Sequence, residues 1–208
     1  MGQMVATEGM GNIVPMEWHS GGTLYTPEGA NRASYYGVTG LPTCVFDGTG
    51  MAVGAYPGNV PQTIAYYMGF YTPAHNNPAY VYVTIIDKSV GGGVASIKFN
   101  IYLEQGIASG HVAHIVLWED HVVVGSTDWR YVERAYTSKN VTISNGGESQ
   151  LFTHTFTLNG AWNPNNLGIS VIIQNPTSKV CANSAAAACV TGTGCAPTSL
   201  GRIKALFN

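Results

Sequence analysis

Two rhythms of apolar residues run along this chain, and the change from one to the other falls near residue 73. Ile13–Trp18 is a short, mostly apolar run suited to a buried strand, although Pro15 argues for a sheet edge or a break in its middle. It ends in a loop over residues 18–22. Thr26 then offers an N-cap and Pro27 a first helical residue, which predicts a helix over residues 27–36. Gly37 and Gly40 can end that helix. Pro42 has no donor for a ladder and so belongs at the first position of a strand over residues 43–46, which Asp47-Gly48 turns back onto a weakly alternating strand at 51–56. Val60-Pro61 starts a second helix through about residue 71, with Ile64, Tyr67 and Met68 at helical spacing.

Residues 72–78, with Pro73 and Pro78 among Asn and His, have no periodicity and mark a domain boundary. Beyond them the pattern is that of strands. Segments 80–87, 94–104, 111–118, 150–158 and 167–174 are rich in β-branched and aromatic residues and are separated by Gly, Asn and Ser clusters. This spacing predicts an antiparallel sandwich, immunoglobulin-like in general architecture. The closing segment is of low complexity around Ala185 and Gly192, and is expected to be a flexible loop followed by an ordered anchor near residues 200–207. The expected organisation is an α+β layer over residues 1–72, a linker at 73–79, a β-sandwich at 80–180 and a Cys-containing tail at 181–208.

Composition narrows the function. Of 208 residues 45% are hydrophobic and only 10% charged, which describes a β-rich protein with an uncharged polar surface, a type frequent outside the cytoplasm. The formal charge is −2 and no basic cluster exceeds Arg202-Ile203-Lys204, so phosphate-backbone binding has no footprint and nucleic acid is excluded as a partner. No apolar stretch is long enough to span a bilayer, and residues 1–5 lack the regions of a secretory signal; if the protein works outside the cell, an export signal is expected upstream.

The run from Tyr35 to Gly48 resembles the stretch of thioredoxin-fold proteins in which a cis-proline opens the fourth strand, which implies a cis Leu41-Pro42 bond. The strand, helix, strand, strand, helix order of residues 12–72 is similarly that of the second half of such a fold. Together with Ile13 to His19, Tyr25 to Gly29, Arg32, and Trp162 to Leu167 leading into 171–180, these residues resemble the twenty-eight-kilodalton outer-membrane protein family. That resemblance implies a thioredoxin-like domain joined to a β-sandwich in a bacterial surface protein. The family's dithiol precedes the first of these segments, and this chain has no Cys-x-x-Cys, so the implied scaffold comes without its redox chemistry. A half sheet of this kind leaves an open edge. The expectation is that a strand from another subunit, or this chain's own tail, fills it.

Candidate chemistry is sparse. Cys44 follows Pro42 by two residues, but its apolar neighbours make it a buried structural thiol. Cys181, Cys189 and Cys195 are spaced too widely for zinc and are the candidates for a disulfide in an oxidising compartment. His111 and His114, followed by Glu119-Asp120-His121, offer the donors of a metal cluster, but on a strand positions 111 and 114 have opposite parity and face opposite sides of the sheet, so they do not easily share an ion. Glu17-Trp18-His19 lies at a strand end with Glu28 the nearest other acid, and reads as a core Trp whose polar neighbours wet its edge. Tyr35, Tyr36, Tyr66, Tyr67, Phe70, Tyr71, Tyr80 and Tyr82 either pack the two domains together or present a subunit or glycan surface. No nucleophile elbow, phosphate loop or zinc-protease motif occurs.

The expectation is therefore a non-catalytic secreted or cell-envelope protein, structural or binding, without cofactor, metal or catalytic residues. Its expected partners are other copies of itself, a surface partner or a glycan. The alternatives are a self-assembling filament or oligomer subunit using strand exchange, and a thiol-disulfide exchange protein whose dithiol lies outside this sequence.

Overall fold

The computed structural model describes residues 2–189 and, as backbone, 202–207. A helix α1 (Gly2–Glu8) leads into β1 (Ile13–Trp18), α2 (Pro27–Tyr36), β2 (Thr43–Phe46), β3 (Gly50–Val53) and α3 (Val60–Asn76). Ten further strands follow: β4 (Val81–Gly91), β5 (Val94–Leu103), β6 (Val112–Glu119), β7 (Val122–Val124), β8 (Thr127–Trp129), β9 (Val132–Asn140), β10 (Ser149–Thr157), β11 (Leu167–Gln174), β12 (Cys181–Ala188) and β13 (Arg202–Phe207).

Eight of these strands make one sheet in the order β12-β11-β6-β9-β1-β13-β2-β3. A second sheet, β10-β5-β4, packs on its β12-β11-β6 end. The core between them is built by strand alternation: Ala113, Ile115 and Leu117 of β6 and Ile169, Val171 and Ile173 of β11 meet Val83, Ile85, Phe99, Ile101 and Phe152. The even-numbered residues of β6 and β11 therefore face the other way. Val116 and Ile172 on that outer face are buried with Met16, Trp18 and Val45, and the partly buried Ala33 and Tyr36 of α2 pack on them. On the opposite face of the N-terminal half, Ile13, Cys44, Phe46 and Ala52 lie beneath Tyr67 and Tyr71 of α3, with Met4 and Val5 of α1.

The helix α2 begins and ends where local chemistry requires. Thr26 Oγ1 accepts from Gly29 N at 2.9 Å, Pro27 occupies the first turn, and Gly37 closes the helix at φ +70° with its N–H on Ala33 and Ser34 carbonyls. Gly29 is a contact requirement, because a Cβ there would stand 2.3 Å from His19 O.

Several expectations need correction. Pro15 does not put β1 at an edge, since β13 lies on one side and β9 on the other. Ile13 and Glu17 direct their N–H groups to Gly9 O and Tyr131 O, so Pro15, of the same parity, turns its missing donor toward the β9 flank, where only Glu17 and Val132 pair. The helix α3 does not stop near residue 71. It runs through Pro73 to Asn76, because Tyr71 and Ala74 still pack on the core, and this shortens the linker. The tail beyond residue 180 is not separate either: Cys181–Ala188 is strand β12, paired with β11 and contributing Ala185 and Ala187 to the sandwich core.

The open edge expected to recruit a neighbouring subunit is filled from within. Strand β13 lies between β1 and β2, parallel to the first and antiparallel to the second. The argument for strand exchange between copies thereby loses its vacant position.

Candidate functional site

The outer face of β6, β9 and β11 carries His114, Tyr136 and Gln174, which α2 covers with a single cation. Arg32 is 7% exposed. Its Nε donates to Glu28 Oε1 at 3.2 Å, Nη1 to Gln174 Oε1 at 3.3 Å, and Nη2 to both Tyr136 Oη at 3.0 Å and His114 Nδ1 at 2.6 Å. The guanidinium carbon also stands 5.5 Å from the Trp18 ring centroid and 5.1 Å from that of Tyr136. A buried arginine without such partners would be costly, so the cluster is what allows α2 to lie on the sheet.

These contacts assign the histidine tautomer. Arginine can only donate, so His114 Nδ1 accepts from it, and the ring proton sits on Nε2. Tyr136 Oη, 2.7 Å from the same Nδ1, donates to it while accepting from Arg32. Burial first and Arg32 second hold the His114 pKa down to about 3, against a smaller opposing contribution from Gln174. The ring is neutral at ordinary pH. Its Nε2–H is buried and has no hydrogen-bond partner among the described residues.

The cluster opens into a recess of about 240 Å³ lined by Glu28, Asn31, Arg32, Tyr35, His114, Tyr136 and Pro176. Tyr35 Oη donates to Pro176 O at 2.9 Å, and Lys179 Nζ donates to Tyr35 O at 2.6 Å, which ties the loop after β11 to the end of α2. Two larger clefts, one beside α3 and one at the Gly91–Trp162 end of the sandwich, bring together fewer polar side chains.

A second polar group lies beyond the N-cap of α2. The Thr26 hydroxyl accepts from Gly29 N and donates to Glu133 Oε2, while burial raises the Glu133 pKa and that hydrogen bond opposes the rise. His19 Nε2 is 3.5 Å from Glu17 Oε1, and both residues are about 5% exposed. Glu17 and His19 thus do not wet the edge of Trp18, because α2 and Trp129 close over them.

The other sequence candidates fall apart in space. His111 bonds Ala108 O at 2.7 Å, away from His114, and His121 is half-exposed beside Asp128 at 2.8 Å. Among the described residues no group of three His, Cys, Asp or Glu side chains could hold a metal ion. Cys44 is fully buried in β2. The Leu41-Pro42 bond is cis. Cys181 is half-buried and its thiol pKa is pushed up by burial, Cys189 is buried, and Cys195 lies outside the described residues, as does any bridge to it.

Sequence reasoning did not single out Tyr136, Gln174 or Glu133, and met Arg32 only within a resemblance. One signal was present. The runs at 113–118 and 167–173 are apolar at nearly every position, which marks strands buried on both faces and so calls for a covering helix over the outer one.

Fold and site together define a β-rich protein, a two-sheet sandwich continued into an α/β layer, with a polar recess where the two halves share a helix. No family model matches the chain, and no curated protein does. Among solved structures it is similar to HBP35 of Porphyromonas gingivalis, with a TM-score of 0.62 at 12% identity over 80% of this chain. The matched part amounts to 60% of that neighbour's length. At such identity the likeness is one of fold.

Proposed function

We propose that this chain is a non-catalytic binding protein of the bacterial cell envelope or extracellular space. The observation that carries this is the Arg32 recess, where a buried cation, a neutral histidine, a carboxylate, an amide and two tyrosines converge without a nucleophile poised beside a base. The N-terminal layer is read as the second half of a thioredoxin-like unit, supported by the cis Pro42 at the start of β2 and by β13 standing where that unit's inner strand is expected. A relation to the twenty-eight-kilodalton outer-membrane proteins rests on the same features and on the sequence segments that resemble that family. The charge-poor surface agrees with an extracytoplasmic site, and among the described residues no helix is long and apolar enough to cross a membrane.

Thiol-disulfide exchange by Cys44 itself finds little support, because that thiol is sealed beneath α3. Two measurements test the proposal. A ligand-observed NMR screen of small polar solutes is expected to find saturable binders that shift the resonances of Arg32 and Tyr136. Insulin disulfide reduction by the purified chain, lost in Cys44→Ser, would overturn the non-catalytic reading.

A further inference from the structure

We propose that the Arg32 recess receives one pyranose ring of a neutral glycan, an assignment that rests on the binding reading above. The argument begins with the groups that folding leaves uncommitted. Arginine carries five N–H donors, and the four described contacts of Arg32 use both hydrogens on Nη2, the one on Nε and one on Nη1. The second Nη1–H remains. Glu28 engages Arg32 through Oε1 alone, and the exposed Asn31 amide makes no hydrogen bond among the described residues. A donor therefore stands beside an acceptor, with an amide that is both. Vicinal sugar hydroxyls, each able to donate and accept, match that set, and hydrogen bonds to the charged members are the strong ones.

Charge separates this ligand from others. Arg32 and Glu28 form an ion pair, and the neutral His114 ring lies in the wall with its Nε2–H buried. Lys179, at the C-terminal end of α2, donates to Tyr35 O and stands over the Tyr35 ring, while Glu133 is buried against Thr26 at the other end. An anion or ammonium group would have to displace the Arg32–Glu28 pair or the Lys179–Tyr35 contact to find a full partner, whereas a neutral polyol brings no charge to desolvate. Tyr35 and Tyr136 add apolar wall beside which the C–H groups of a sugar can lie, although Arg32 stands over both rings and Lys179 over that of Tyr35. The volume, about 240 Å³, is below that of a drug-sized pocket and suits a single ring with the rest of the chain outside.

The test is a ¹H–¹⁵N NMR titration of the full chain with methyl glycosides of glucose, galactose and mannose and with N-acetylglucosamine. Glucuronate and acetate serve as anionic probes and glucosamine as a cationic one. At least one neutral glycoside is expected to shift the amides of residues 28–36, 114 and 136, and Asn31→Ala and Glu28→Gln are each expected to weaken it about tenfold. Binding of only the charged probes at these amides would overturn the saccharide assignment and leave the binding reading standing. So would glycoside binding that both substitutions leave unchanged, which would move the sugar site elsewhere. No saturable binding by any probe would overturn the saccharide assignment, and failure of the broader screen as well would remove the binding reading.

Discussion

Arg32 links α2 to β6, β9 and β11 through three hydrogen bonds and to β1 through the face of Trp18, with a fourth hydrogen bond to Glu28 within the helix. Replacing it by Ala leaves Gln174 and Tyr136 without a donor and is expected to cost about 3 kcal/mol, read as a fall in the urea midpoint with an unchanged slope. His114 gives a pH signature. Its pKa is about 3 in the folded chain against 6.5 as the ordinary value, so the unfolded state takes up a proton that the folded state refuses. Its contribution is complete above about pH 6.5 and is lost progressively as the pH falls toward 3. Glu133, whose pKa burial raises above the ordinary 4.5, acts in the opposite sense from about pH 4.5 upward. Unfolding free energy measured between pH 7 and 5 should therefore fall in the wild type, and His114→Gln should flatten the slope. Equal slopes would show that the histidine does not titrate in this way.

At the scale of elements, α3 and β12 both form against their local preference. Pro73 removes the bond its N–H would make to Gly69 and crowds the preceding turn, yet the helix continues because Tyr67, Tyr71 and Ala74 share the face that packs on Phe46 and α1. Pro73→Ala should consequently stabilise the chain by about 1 kcal/mol or more, visible as a higher denaturation midpoint. Strand β12 is an alanine run with little β preference, held by pairing with β11 and by a tight approach to the sandwich core. Ala187 is 4% exposed within it, and Ala187→Leu should destabilise by about 1–3 kcal/mol through overpacking.

For the whole molecule the decisive fact is that β13 closes the gap between β1 and β2. Deleting residues 202–208 would leave two facing strands each with an unpaired edge and would separate the N-terminal layer from its central strand. The truncated chain is expected to aggregate or to lose cooperative unfolding. The full chain is expected to be a monomer in light scattering at micromolar concentration. A dimer that dissociates only on unfolding would show that β13 is exchanged between copies, at equal pairing and with closed symmetry.

The bounds of β1, α2 and β2, and most of the sandwich strands, were legible because each is marked locally: Thr26-Pro27 before a helix, Gly37 after it, Pro42 at a strand start, apolar runs between turn residues. Helix α1 and strands β7, β8, β9 and β12 were not. In β9 the residues Glu133, Arg134 and Lys139 mask the pattern, and the tertiary fold gives Glu133 and Arg134 partners, Thr26 and Glu119, that sequence does not display. The site escaped for the same reason. A lone Arg on a helix and a His on a strand are ordinary until tertiary structure sets them 2.6 Å apart across 82 residues. Local chemistry determined the bounds of β1, α2, β2 and most of the sandwich strands. Only long-range packing decided that the tail runs through the middle of the sheet and that the buried charge of Arg32 is shared among four elements, because neither pairing partner nor burial is a property of a residue's neighbours in sequence.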